Sequence, residues 1–96
     1  MREIRDNIDR MDRILVPLLI ERGEYVRQAA QYKPTRQDTV VPARIEDIVQ
    51  KVRAMAENEA YGDPNLVEAI YRVMINEYIA HEKREWDRIN TNTDTI

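Results

Sequence analysis

Ninety-six residues with 15 Lys and Arg, 18 Asp and Glu, a net charge of −3 and 43% hydrophobic content have a soluble globular composition, enough for one domain. The absence of cysteine excludes disulfides, thiolate metal sites and a cysteine nucleophile. The acidic balance argues against a nucleic-acid surface. With no apolar run of about eighteen residues and no hydrophobic leader in MREIRDNIDR, the expectation is a cytoplasmic protein with no membrane contact.

The first element reads as one helix from Glu3 to about Lys33. Ile4, Ile8, Met11, Leu15, Leu18, Leu19, Tyr25, Val26, Ala29 and Ala30 recur at spacings of three, four and seven. Pro17 removes the hydrogen bond to Arg13 and should bend this helix, but the stripe continues through it in register. Pro34 stops the helix, and residues 34–42 form a polar loop with Val40 and Val41 turned inward. A second helix follows from about Ala43 to Asn58 on Ile45, Ile48, Val52 and Met55. A turn over residues 59–63 contains Gly62. Asp63 as N-cap and Pro64 as first helical residue open a third helix to about Ile89, with residues 90–96 as a frayed tail.

The fold class is therefore all-α: three helices, the first long and bent. About thirty helical residues span about 45 Å, and the second helix only about 25 Å. Much of the first stripe then lacks an internal partner, which points to an intertwined two-fold homodimer. The competing expectation is a monomeric bundle with the first helix broken at Pro17.

Arg22 and Lys33 are eleven residues apart, almost three helical turns, and share a face with Tyr25, Val26 and Ala29. Cations beside an apolar stripe form ordinary salt bridges or line an anion pocket. Arg5 lies about 100° off that face, so it reaches such a pocket only from a partner chain. Arg44, early in the second helix, is badly placed for the helix dipole, which hints at another task. Arg10, Arg13, Arg27, Arg36, Arg53, Arg72 and Arg84 read as surface residues. His81 with Glu77, Glu82 and Glu85 lacks a second histidine, so no metal is expected. Glu82 lies one turn beyond Tyr78, beside Ile79 and Trp86. A carboxyl group turned inward there would be pushed up by desolvation and drawn back by a paired cation. The aromatic residues read as core or interface.

IRDNIDRMDRIL at 4–15, LLIERGEYVRQAAQYK at 18–33, VPARIEDIV at 41–49 and NEYIAHEKREW at 76–86 together resemble the all-helical chorismate mutase family. The resemblance is closest to the subgroup that contains isochorismate-pyruvate lyases, and it covers residues 4–89. It implies an entwined homodimer that binds a small dicarboxylate and needs no cofactor. It also implies Lys33 and Glu82 as catalytic residues facing an ether oxygen. Arg5 from the partner, Arg22, Arg44, Ile45 and Tyr78 would bind substrate. Ile45 and Val41 stand where many bacterial mutases carry Glu and Asp, a departure shared with the lyase-containing subgroup. Glu82 stands where the well-known lyases carry Gln. Rearrangement of chorismate to prephenate is the first expectation, isochorismate-pyruvate lyase the second. A mutase-like enzyme on an amino analogue of chorismate and a non-catalytic binding module follow.

Overall fold

The first helix runs on past Pro17. In the computed structural model, which describes residues 1–91, α1 spans Arg2–Ala29, α2 spans Pro42–Glu57 and α3 spans Pro64–Thr91. The all-α class, the three helices and the long first helix bent at its internal proline match expectation. α3 extends two residues beyond the expected end, and the rest of the expected tail, 92–96, lies outside the described residues.

α1 ends four residues earlier than its apolar spacing suggests. Lys33 precedes Pro34 and is held extended, at φ −95° and ψ 121°. The last turn therefore tightens into a 3₁₀ turn over Ala30–Tyr32, with the Lys33 N–H donating to the Ala30 carbonyl at 3.2 Å. The expected polar loop contains a second 3₁₀ turn, Arg36–Thr39. Asp38 organises it by accepting from both the backbone N–H and the hydroxyl of Thr35, at 3.0 and 2.9 Å. This turn buries Thr39, at 4% exposure, and leaves Val40 and Val41 exposed, which corrects the expectation that the two valines fold inward.

α2 begins with Pro42 at its first position. Its buried row is Val49, Val52 and Ala56, so the core face is rotated from the expected stripe, and Met55 stays exposed. Gly62 makes the next turn possible, since a Cβ there would sit 1.7 Å from the Ala56 carbonyl oxygen. Asp63 caps α3 as expected, accepting from the Leu66 N–H at 3.1 Å.

α3 packs against both other helices. Its first half lies along α2, tied by Arg53–Glu68 at 2.7 Å and Arg72–Glu46 at 3.1 Å. Its second half lies along the end of α1, tied by Arg27–Glu85 at 2.9 Å. The N-terminal part of α1 projects beyond this packing, and every residue from 1 to 21 is exposed. The result is an elongated body of 59 × 29 × 15 Å. No helix among the described residues is long and apolar enough to cross a membrane.

Candidate functional site

A cavity of about 390 Å³ opens where the end of α1, the lid segment 34–41, the start of α2 and the middle of α3 meet. Arg22, Lys33, Arg44, Ile45, Tyr78 and Glu82 all line it. Of the residues expected to form a site, only Arg5 is elsewhere: it lies on the projecting half of α1 and is exposed. Tyr25, Val26 and Ala29, which share the Arg22 face, also line the cavity. Lys33 reaches it from extended backbone, not from the helix that was expected to carry it.

Arg22 is held from below. Its guanidinium lies over the Tyr78 ring, 4.9 Å from the centroid. Tyr78 is fixed in turn by its hydroxyl, which donates to the Leu19 carbonyl. The ring fits there because residue 23 is glycine: a Cβ would approach the Tyr78 Cε1 to 2.9 Å. Gly23, which in sequence reads only as a weak point of the helix, is thus a packing requirement of the cavity floor. Neither Arg22 nor Lys33 hydrogen-bonds a carboxylate among the described residues, whereas Arg27, Arg36, Arg53, Arg72 and Arg88 all do. A guanidinium and an ammonium without carboxylate partners on one cavity wall suit an anionic ligand. Arg44 is shared: it donates to Asp47 at 2.7 Å, and Asp47 also accepts from Lys51 at 2.9 Å.

Glu82 is 5% exposed. Burial pushes its carboxyl up, and the nearby Lys33 charge draws it partly back. No hydrogen bond reaches this carboxyl group among the described residues, so it is available to a ligand. The remaining wall is aliphatic, from Val26, Val41, Ile45, Ile48, Ile75 and Ile79. Such a surface takes the apolar faces of a small ring and leaves the ends to the cations. Among the described residues no group of His, Asp and Glu could hold a metal ion.

Three participants are missing from the sequence reading. Thr39 lines the cavity, with its hydroxyl donating to the Arg36 carbonyl at 2.7 Å. Arg36 ties the lid segment to α3 through Asp87 at 3.0 Å. The Trp86 indole N–H donates to the Lys33 carbonyl at 3.0 Å. Only the tryptophan left a signal, since a partly buried indole N–H usually finds an acceptor. The arginines read as surface residues behave so where they are paired: Arg27, Arg53 and Arg72 are bridged to carboxylates.

The family model for chorismate mutase type II matches residues 4–83, which include every cavity residue named above. The isochorismate pyruvate lyase of Pseudomonas aeruginosa is 30% identical over 84 residues, covering 88% of this chain and 82% of that protein.

Proposed function

The chain belongs to the chorismate mutase type II family, and on that premise we propose that it is an isochorismate-pyruvate lyase acting as a homodimer. The observation that carries this reading is the cavity wall beside Arg44. Ile45, where many mutases have a Glu that holds the ring hydroxyl, and Val41, where they often have an Asp, both line the cavity. A relative named as a lyase, alike over most of both chains, supports the same choice and reverses the order the sequence resemblance suggests.

In this reading Arg22 binds one carboxylate, and Arg5 of a second copy supplies the other. The exposed apolar row Ile4, Ile8, Met11 and Leu15 supports the assembly, since a stripe of this kind is normally an interface. Arg44 closes the cavity beside the lid. Lys33 donates to the ether oxygen as the C–O bond breaks. A ring hydrogen moves to the enolpyruvyl methylene carbon, the ether oxygen becomes the keto oxygen of pyruvate, and the ring becomes the aromatic ring of salicylate. The step needs positioning and charge stabilisation, with no nucleophile. Glu82 assists in its protonated form, because an ionised carboxylate would repel the oxygen that gains negative charge.

The second reading is rearrangement of chorismate to prephenate by the same cations. Glu82 favours it, being buried where the well-known lyases carry Gln. Supplying isochorismate and chorismate separately decides between them. Salicylate from isochorismate, with little prephenate from chorismate, is the expected result. Prephenate alone would establish the second reading, and neither product would overturn both.

A further inference from the structure

Tyr78, Glu82 and Trp86 are four residues apart and so form one row along α3. Each meets one of the two cavity cations, Arg22 and Lys33, that bridge no carboxylate among the described residues. Tyr78 lies beneath Arg22, and Glu82 feels the charge of Lys33. The Trp86 indole N–H donates to the Lys33 carbonyl at 3.0 Å, across 53 residues of sequence. Trp86 itself lies outside the cavity wall.

Lys33 needs such a hold. It is the residue at which the chain leaves helical geometry, so its carbonyl has no place in a helical ladder. Pro34 follows and brings no N–H of its own. The residues flanking Trp86 grip other segments: Glu85 holds Arg27 at the end of α1, and Asp87 holds Arg36 on the lid. Of the three, Trp86 alone fixes the lysine, and it does so without adding charge to the cavity.

We propose that Trp86 is a positioning residue for Lys33, setting the direction of its ammonium by anchoring its backbone. The consequence for turnover rests on the functional reading above. A hydrogen bond that orients a reacting group matters to the rate more than to binding, because small displacements at the reacting centre are costly.

The test is a double-mutant cycle on the full chain. Trp86→Phe keeps an aromatic ring and removes the donor. Alone, it should lower kcat by about 10- to 100-fold while leaving KM within about threefold. In a Lys33→Ala background, whose own turnover is expected to fall by about 10²- to 10³-fold, it should change the residual rate less than about twofold. Equal losses in both backgrounds, or no loss from Trp86→Phe, would overturn the proposal. The anchor is also readable without turnover, because the chain has one tryptophan and hence one indole N–H resonance. Slow solvent exchange of that proton supports the bond, and exchange as fast as in a free indole overturns it. If neither substrate is turned over, the functional reading fails by itself. The anchor is then decided by this exchange and by whether Trp86→Phe shifts the side-chain resonances of Lys33: an unchanged lysine signal overturns positioning, a moved one supports it.

Discussion

The two parts of α1, a long first part to residue 21 (the uncovered half) and a short second part (the covered half), have the same apolar spacing and opposite surroundings. From residue 1 to 21 everything is exposed, including Ile8 at 55%. Beyond that point Gly23 is buried against the Tyr78 ring, Ala30 is buried in the 3₁₀ turn that follows, and Glu85 of α3 holds Arg27. The difference follows from length. α2 occupies the first half of α3, so only the second half of α3 is left to cover α1, and it covers only one end. Apolar periodicity therefore says that a face must be covered and is silent on which chain covers it. The covered half carries Arg22 and leads to Lys33; the uncovered half carries Arg5.

The most damaging way to break this contrast is to place a charge in the uncovered stripe. Leu15→Asp should leave a species of single-chain mass by sedimentation and abolish turnover, because each site would lose its second-copy arginine. Retention of the assembled mass and of activity in this variant would remove the distinction between the halves.

A gentler test keeps the helix intact and separates its two arginines. Arg5→Ala and Arg22→Ala should each lower kcat/KM by about 10²-fold or more, as expected when one partner of a desolvated charge contact is lost. Mixed in equal amounts and allowed to exchange subunits, the two inactive proteins should recover about a quarter of the parent rate. Half of the dimers are then hybrids, and each hybrid has one site with both arginines. No recovery after demonstrated subunit exchange would mean that Arg5 serves its own chain.

Within the covered half, Gly23→Ala tests how closely Tyr78 must approach. The added Cβ meets the tyrosine ring at 2.9 Å, so the ring that supports Arg22 must shift. KM should rise about tenfold with a smaller fall in kcat, and Tm should drop by several degrees. Unaltered KM would detach Tyr78 from ligand binding.

Much of the framework is legible in the sequence because it rests on local chemistry. Pro34 ends the first helical region, and Asp63-Pro64 starts the last. What escapes is set by contacts between distant residues. The Trp86 bond to Lys33 and the Arg36 bond to Asp87 span more than fifty positions, and no spacing announces them. The lid's 3₁₀ turn is local, but it depends on Thr35 and Asp38 forming a box within a stretch that reads as loop, and it exchanges Thr39 for the valines as the buried residue. The cavity set of Arg22, Lys33, Arg44, Ile45, Tyr78 and Glu82 came through resemblance more than spacing. Helical geometry relates Arg22 to Lys33, and it leaves Arg44 and Glu82 on other elements.

The smallest expected effect concerns Lys33 and Glu82, which line the same cavity just past the end of α1. Burial raises the Glu82 carboxyl above its ordinary range, and Lys33 opposes that shift. Under the proposed function the group would work as a donor, so the protonated form would be the active one. Turnover should then be fullest at low pH and decline as pH rises through the folded-state value, the limb belonging to the coupled site and not to the carboxyl alone. Glutamine keeps the shape and a donor but cannot ionise. Glu82→Gln should therefore match the parent within a few-fold on the acid side and exceed it on the alkaline side, with the limb gone from a kcat profile. If the limb survives the substitution, another group titrates, and Glu82 is a buried wall residue whose burial serves packing alone.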